Sequence, residues 1–372
     1  MATSRVSNEA DVVEVVRAAR ESNRTLEIVG HGTKRGFGRP VTCADMLDLS
    51  DLRGIVTYEP DEMIITARAA TPVAEIEAAL AEKNQRLGFE PGDCGPLFGA
   101  PASSATIGGV LSASCDGSAA VRYGRCRDHL LGFRAVNGFG EAYKGGGKVV
   151  KNVTGFDLPK LFCGAMGTLG PLTEVTLRVF PKAQLSQTFA VGNLSPREGL
   201  SLLRRVWSSP LESTGLAFHD GTAFIRVEGS RSALDEKIAL LRALSAKDLQ
   251  QMEDGDEIFR NIASGKLIAG AEGSLWRIHV PPASAAQLVS ELQPISWCAD
   301  IAGALFWAVC NSGQPVPAIG RHFGARTISL RGGDHSPPFE PEDPVRAELT
   351  RRIKAAFDPL RLFNAGRMWE GV

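Results

Sequence analysis

The feature that most constrains this fold is a glycine-rich loop that directly follows a short predicted strand. The strand is TLEIVG, Thr25 to Gly30, and it runs into GHGTKRGFG, a stretch with four glycines, two cations and no acid. Glycine lets backbone N–H groups approach a ligand closely, and a series of such donors forms a concave anion site. The loop therefore favours an anionic ligand, with a plain surface turn as the alternative.

Two common nucleotide-binding motifs do not fit this loop. Its glycines, Gly30, Gly32 and Gly36, are spaced G-x-G-x-x-x-G instead of G-x-G-x-x-G. FGRPVTCAD, with Pro40 in it, follows where a Rossmann fold needs a helix N-terminus facing the pyrophosphate. The phosphate-binding P-loop pattern G-x-x-x-x-G-K-[ST] does not occur anywhere in the sequence.

Two further segments have the same glycine-rich character. The first of them spans Ala105 to Gly124, with the sequence ATIGGVLSASCDGSAAVRYG. The second spans Phe162 to Val175, with the sequence FCGAMGTLGPLTEV, and its glycines come just before a predicted strand. Each segment alone is weak evidence for a site. Three backbone-rich loops in one part of the chain together predict one extended, largely buried ligand that carries a diphosphate.

Length, charge and cysteine content limit the possible classes of protein. The 372 residues are enough for two domains, and 41 cations against 42 anions give no net field that would attract nucleic acid. The seven cysteines are scattered, without a C-x-x-C pair or a metal-binding spacing, which is typical of reduced thiols in the cytoplasm. The N-terminus shows no signal-peptide pattern. We therefore expect a cytoplasmic protein, for which any contact with the inner membrane would come through partner subunits.

The order of the motifs resembles the FAD-binding family of vanillyl-alcohol oxidase and p-cresol methylhydroxylase (PCMH). The resemblance is carried by GHGTK, by TIGGVLSAS with the later RYG, by KGGGKVVKNVTGFDLPKLFCGAMGTLGPLTEVTLRVFP, and by the ending FDPLRLFNAGRM. Within the family, KVVKNVTGFDLPKL and the overall length look most like the FAD-binding subunits of bacterial glycolate oxidases. Over residues 184–340 the likeness rests on pattern and length only.

The resemblance implies a two-lobed α+β fold. Residues 1–181 would form the PCMH-type FAD-binding domain. Residues 182–340, which read as alternating strands and helices, would form a smaller antiparallel α+β domain for substrate or subunit contacts. Residues 341–372 would add a helix and a tail that return to the flavin domain.

The resemblance also assigns residues to FAD. The first loop would wrap the pyrophosphate, the second would hold the phosphates and shape the flavin end, and the third would lie along the adenine half. The residues so implied are Gly30, His31, Gly32, Thr33, Lys34, Thr106, Ile107, Gly108, Gly109, Gly117, Tyr123, Gly124, Gly170 and Leu172. Relatives with covalent FAD carry a histidine where this chain has Thr33, so we expect non-covalent FAD here.

The catalytic residues are less constrained by the sequence. Oxidation of a 2-hydroxy acid needs a cation for the carboxylate and a base for the hydroxyl group. Arg326, Arg331 and His335 in ARTISLRGGDH are the candidates, against the alternative of a solvated strand end and a structural histidine. No metal site is expected, because the six histidines never lie close together in sequence, unlike the histidine pair of many related enzymes.

Two functions stay open at this stage. The chain is either an FAD-dependent dehydrogenase component for glycolate or a similar D-2-hydroxy acid, or a non-catalytic flavin-binding and assembly subunit. In both, the expected partners are a larger flavin-containing subunit and an iron–sulfur subunit, since the cysteines of this chain do not suit a cluster.

Overall fold

A computed structural model describes residues 1–148, 156–332, 339 and 343–370 of the chain. Its strands are β1 (Ala2–Arg5), β2 (Leu26–Val29), β3 (Asp45–Asp48), β4 (Ile55–Glu59), β5 (Ile64–Arg68), β6 (Gln85–Arg86), β7 (Leu130–Val136), β8 (Ala142–Gly146), β9 (Leu172–Arg178), β10 (Phe180–Pro181), β11 (Leu185–Val191), β12 (Gly215–His219), β13 (Thr222–Gly229), β14 (Gln250–Met252), β15 (Ser274–His279), β16 (Ser296–Asp300), β17 (Leu305–Cys310) and β18 (Arg326–Arg331).

The α-helices connect and cover these strands. They are α1 (Glu9–Glu21), α2 (Val73–Ala81), α3 (Ile107–Ala113), α4 (Ala120–Tyr123), α5 (Cys126–His129), α6 (Leu158–Phe162), α7 (Pro196–Trp207), α8 (Arg231–Ser245), α9 (Gly255–Ala263), α10 (Ala285–Leu292), α11 (Val316–His322) and α12 (Pro344–Phe357). The mixture of sheets and helices confirms the predicted α+β class.

A parallel three-stranded sheet forms the N-terminal edge of the molecule, in the order β1–β3–β2. Helix α1 packs on it through Val12, Val16 and Ala19, which recur at helical spacing on one face. The Asn8 side chain caps this helix by accepting a hydrogen bond from the backbone N–H of Asp11. The glycine-rich loop starts where β2 ends, as the sequence predicts.

A five-stranded antiparallel sheet lies next, in the order β4–β5–β9–β7–β8. Helix α2 begins at Val73, after Pro72, but the Thr71 hydroxyl does not cap it. That hydroxyl instead donates to the Arg68 carbonyl oxygen at 2.7 Å and thus fixes the end of β5. This strand end matters for the site, because Ala69 and Ala70 line the cavity described below.

The rest of the chain forms an eight-stranded antiparallel sheet in the order β14–β11–β13–β12–β16–β17–β15–β18. Side chains alternate across it: Trp276 and Ile278 of β15 pack in the core beneath the helices, whereas Leu275 joins the core shared with the N-terminal part of the chain. The second half is therefore an antiparallel sheet with helices on one face, which agrees with the strand and helix pattern of the sequence.

Ion pairs join the eight-stranded sheet to the N-terminal part of the chain. The Arg86 guanidinium donates to both carboxylate oxygens of Glu228 at 2.7 and 2.5 Å. Beside it, the buried Arg226 donates to Glu90 at 2.8 Å. Bidentate arginine–carboxylate pairs fix two groups in orientation as well as in distance. The sheet face opposite the helices is thus held against the N-terminal sheets.

Candidate functional site

A cavity lies where the three glycine-rich segments meet, with about 760 Å³ of empty space that is partly open to solvent. We call it the glycine cradle. Its lining residues are Ile28, Val29, Gly30, His31, Gly32, Thr33, Lys34, Arg35, Leu49, Ala69, Ala70, Thr106, Gly108, Gly109, Ser112, Ala113, Met166, Gly167, Gly170, Leu172, Asn364 and Arg367. Ten of the predicted FAD-binding residues are among them.

The first glycine loop lines this space with backbone donors that have no acceptor among the described residues. Gly32 adopts a φ of +71°, a left-handed conformation that suits glycine. Within the described residues, the backbone N–H groups of residues 31–34 donate no hydrogen bond to protein. Buried or half-buried N–H groups are normally paired, so this run of free donors fits an anionic ligand.

The charges around the cradle also suit an anion. Lys34, Arg35 and Arg367 line it, and no aspartate or glutamate is among the lining residues. Arg35 is already paired with the buried Glu27, at 2.9 and 2.5 Å. Among the residues that the structure describes, the Lys34 ammonium donates only to the Thr33 hydroxyl, at 3.1 Å. Arg367 also lies 3.8 Å from a Glu27 carboxylate oxygen and donates to two backbone carbonyl oxygens. Lys34 is therefore the lining cation best placed to offset the charge of a diphosphate.

His31 is oriented by the neighbouring loop. Its Nδ1 donates to the Ser104 carbonyl oxygen at 2.9 Å, because a carbonyl oxygen can only accept. This bond fixes the ring at the rim of the cradle. His31 thus lies in the lining of the cradle, and its contact with FAD stays a prediction.

Helix α3 contributes close packing to the cradle. The N–H of Ile107 donates to the Thr71 carbonyl oxygen at 3.0 Å, and that of Gly108 donates to the Ala69 carbonyl oxygen at 2.8 Å. A Cβ atom on Gly108 would lie 2.8 Å from the same Ala69 oxygen. The first N–H groups of α3 therefore bind protein, and Gly108 is required for close approach of two backbones.

Gly109 differs from Gly108 although the two are adjacent. A Cβ atom on Gly109 would meet the Thr106 Oγ1 at 3.0 Å and the Lys34 Cδ at 4.0 Å, and no backbone atom comes closer. A side chain at this position would therefore extend into the cradle, beside the lysine that faces the expected diphosphate. Together with the free donors of residues 31–34, this geometry fits FAD.

The third glycine segment and the C-terminal tail close the cradle. Gly170 has a φ of +142°, and a Cβ atom there would lie 2.4 Å from the Val136 carbonyl oxygen. Asn364 accepts from the backbone N–H of Ile28 and donates to the Met166 carbonyl oxygen. Arg367 donates to the carbonyl oxygens of Lys34 and Arg35, so the tail holds the glycine loop in place.

Four of the predicted FAD-binding residues do not line the cradle. Ile107 is fully buried in the core. A Cβ atom on Gly117 would lie 2.4 Å from the Glu90 carbonyl oxygen, so this glycine permits close packing. Tyr123 accepts a hydrogen bond from Arg86 beside Glu228, and Gly124 follows it with a φ of +91°. For these positions a direct role in binding stays a prediction.

The predicted catalytic residues are not gathered in one place. Arg326 and Arg331 stand at opposite ends of β18, roughly 17 Å apart for an extended strand. Arg331 donates to the carbonyl oxygens of Ala269 and Ala271. His335 lies outside the described residues. Their catalytic roles therefore stay predictions.

A buried carboxyl group missed by the sequence reasoning lies on the same sheet. Asp300 is fully buried, and its Oδ1 accepts from the Ser118 hydroxyl at 2.5 Å and from the Ile301 N–H at 2.7 Å. Its Oδ2 has no partner in the described part of the chain. Burial raises the pKa of Asp300 from 3.8 to about 7, against the opposing effect of these hydrogen bonds.

Asp300 gives stability a specific pH dependence. Between about pH 4 and pH 7 the folded protein keeps a proton on Asp300 that the unfolded chain has already lost. The free energy of unfolding therefore falls as the pH rises through that window. Asp300→Asn cannot ionise. We expect the unfolding temperature of this variant, minus that of the wild type, to increase by several degrees from pH 5 to pH 8. An equal difference at both pH values would contradict the raised pKa.

Comparison with known proteins agrees with the cradle. Residues 2–146 match the FAD binding domain family. Over 361 residues the chain is 32% identical to the glycolate oxidase subunit GlcE of Escherichia coli (strain K12), covering 96% of both chains. The chain belongs to the family of this GlcE subunit.

More distant relatives share parts of the chain. The glycolate oxidase subunit GlcD of Bacillus subtilis is 33% identical over 130 residues, which are 35% of this chain and 26% of that protein. A solved structure of alkyldihydroxyacetonephosphate synthase superposes on 97% of this chain and 75% of its own length, with a TM-score of 0.70 and 16% identity. The structural likeness shows the shared fold.

FAD is thus the cofactor that the family indicates for this chain. Two further findings concern metal ions and the membrane. Among the described residues, no group of three or more histidine, cysteine, aspartate or glutamate side chains is placed to hold a metal ion. In the same residues, no helix has both the length and the apolar character needed to cross a bilayer.

Proposed function

We propose that this chain is an FAD-binding component of a glycolate oxidase and takes part in oxidising glycolate, or a similar small 2-hydroxy acid, to the 2-oxo acid. The observation that carries the proposal is the cradle itself: free backbone donors at residues 31–34 beside Lys34 and Arg367, with no acid in its lining. The likeness to the GlcE subunit over 96% of both chains supports the substrate class.

The chain would supply binding and orientation for this reaction. When bound, FAD accepts a hydride from the carbon that carries the substrate hydroxyl group. The first glycine loop would hold the diphosphate, and FAD would be bound without a covalent link, since this chain has Thr33 where relatives with covalent FAD carry a histidine. A cation for the substrate carboxylate and a base for the hydroxyl group would come from the second half of the chain, where Arg326, Arg331 and His335 remain the predicted candidates.

A second candidate function is favoured by one observation. Arg326 and Arg331 lie at opposite ends of their strand, so they do not form a shared carboxylate site. In this alternative the chain binds FAD and assembles with a larger flavin-containing subunit that carries out the substrate chemistry. An iron–sulfur subunit would then receive the electrons in either case.

The binding mode of FAD is tested by acid precipitation. We expect the purified chain to be yellow and to release all its flavin into the supernatant when it is precipitated with acid. Colour that stays in the pellet would show a covalent link instead. A colourless chain that cannot be reconstituted with FAD would contradict the proposal.

Substrate oxidation is tested on the same FAD-loaded chain under anaerobic conditions. Glycolate is expected to bleach the visible flavin bands, whereas acetate, which lacks the hydroxyl group, is expected to leave them unchanged. Flavin that glycolate does not bleach in the isolated chain, but does bleach in the assembled complex, would favour the assembly subunit.

A further inference from the structure

Arg277 is a buried arginine without an acidic partner. It lies in the middle of β15, its side chain is only 2% exposed, and no aspartate or glutamate among the described residues forms an ion pair with it. Buried charges are normally paired, because removing an ion from water costs several kcal/mol. The guanidinium of Arg277 is therefore suited to an anion that is not part of the protein.

The indole N–H of Trp307 is a second buried donor beside the Arg277 guanidinium. Trp307 of β17 is directly opposite Arg277 in the strand pairing, so both side chains lie on the same face of the sheet. The Arg277 Nε and the Trp307 Nε1 are both buried and without a hydrogen-bond partner in the described part of the chain. Two neighbouring N–H donors match the two oxygens of a carboxylate.

The position of Arg277 links it to the glycine cradle. Its terminal nitrogen donates to the Ser114 carbonyl oxygen at 2.9 Å. Ser114 directly follows α3, whose last residues Ser112 and Ala113 line the cradle. A hydrogen bond with the Cys94 thiol lowers the pKa of the Cys115 thiol, and the positive charges of Lys34 and Arg277 lower it further. Both cations are therefore close to Cys115.

Other cations lie near Arg277 on the same sheet face. His279 lies two residues after Arg277 on β15, and Arg326 of β18 is its neighbour across the strand pair. Burial, and then the charges of Arg277, Arg125 and Arg326, lowers the pKa of His279, so this ring stays neutral at neutral pH. Arg125 is paired with Asp116 at 2.8 Å. Arg326 is exposed to solvent, so Arg277 is the buried cation of this group that lacks an acidic partner among the described residues.

We propose that Arg277, assisted by the Trp307 N–H, binds the carboxylate of a small organic acid at the end of the glycine cradle. This inference rests on the proposed function, because it names the carboxylate anchor of the same oxidation. It differs from the sequence-based candidates, since Arg331 is bound to backbone carbonyl groups and exposed. Without an anion, Arg277 would be stabilised only by the Ser114 carbonyl group and by the Trp307 ring, 5.7 Å away.

The test uses the FAD-loaded full chain and oxalate, a dicarboxylate that cannot donate a hydride. Oxalate is titrated while the visible flavin spectrum is recorded, so the readout does not depend on turnover. We expect oxalate to perturb the wild-type spectrum and to bind at least about tenfold more weakly to Arg277→Met, with FAD content unchanged. Trp307→Phe keeps an aromatic ring but loses the N–H donor, and it should weaken oxalate binding by about fivefold. Arg321→Met, at an exposed arginine of α11, is the matched control and should behave as wild type.

The outcomes separate this inference from the proposed function. A chain that binds no FAD contradicts the proposed function. A chain that binds FAD but shows equal oxalate binding in wild type and Arg277→Met, or no perturbation by oxalate, overturns only the carboxylate site. Loss of FAD in a folded Arg277→Met protein would assign Arg277 to the cofactor and would also overturn it.

A second variant covers the case in which Arg277→Met does not fold. Arg277→Lys keeps the positive charge but cannot present the planar set of N–H donors that matches a carboxylate. We expect the FAD-loaded Arg277→Lys protein to bind oxalate several-fold more weakly than the wild type, with FAD content unchanged. Equal oxalate binding in the wild type and in Arg277→Lys would overturn the proposal.

Discussion

Gly109→Asp is expected to abolish FAD binding while the chain stays folded. The Cβ of this position faces the cradle, where it meets only the Thr106 hydroxyl and, 4.0 Å away, the Lys34 side chain. A carboxylate there would occupy the phosphate space and would compete for Lys34. Like charges at close range disfavour binding, and we expect a loss of about 3 kcal/mol or more, which is at least a hundredfold in the Kd for FAD.

The measurement is flavin content after reconstitution, together with the unfolding temperature of the apoprotein. Gly192→Asp is the matched control, because Gly192 is exposed and a Cβ atom there would meet nothing within 4 Å. It should bind FAD like the wild type. Normal flavin content in a folded Gly109→Asp protein would show that FAD does not lie against this face of α3.

The contrast between Gly108 and Gly109 shows what the sequence leaves undetermined. Both belong to the TIGG motif, and the sequence gives them the same role. In the structure a Cβ atom on Gly108 would meet the Ala69 backbone, whereas one on Gly109 would meet only the side chains of Thr106 and Lys34. The direction of a Cβ atom depends on the orientation of α3 against the end of β5, which is a tertiary property.

The architecture was easier to predict because it depends on local patterns. The strand before the glycine loop, the amphipathic helix α1 and the alternating strands of the second half all follow from side-chain periodicity. Helix α2 shows the limit at element ends. Thr71 resembles a capping residue in sequence, but in the structure its hydroxyl bonds to the preceding strand.

The site was only partly predictable because long-range contacts complete it. Asn364 and Arg367 reach the cradle from more than three hundred residues away in sequence. Arg277 gives a local signal, a charged residue inside the apolar strand SLWRIHV, yet nothing in the sequence shows that it lacks an acidic partner. Conversely, Tyr123 looks like part of a binding loop but belongs to the ion cluster of Arg86 and Glu228.

The C-terminal tail supports the second large prediction. Lys354 of α12 is buried, and its Nζ donates to the Thr168 carbonyl oxygen at 2.6 Å, to Asp358 at 2.8 Å and to the Phe363 carbonyl oxygen at 3.0 Å. Asp358 in turn accepts from the backbone N–H groups of residues 362 and 363. This pair therefore fixes the chain just before the two tail residues that line the cradle.

Lys354→Met is expected to lower the free energy of unfolding by about 3–5 kcal/mol, because it leaves the buried Asp358 carboxylate without its cation. Unfolding by denaturant, followed by circular dichroism and by flavin release, measures the effect. Flavin should be released at lower denaturant concentration than the loss of helix signal, because the tail that carries Asn364 and Arg367 loses its anchor first.

Arg352→Met, an exposed change on the same helix, controls for the loss of a positive charge and should cost less than about 0.5 kcal/mol. The double variant Lys354→Met with Asp358→Asn separates the charge from the packing. If the uncompensated carboxylate causes the loss, the double variant is more stable than the sum of the two single changes predicts. Additive losses would mean that the hydrogen bonds of Lys354 to the Thr168 and Phe363 carbonyl oxygens, and not its ion pair with Asp358, hold the tail in place.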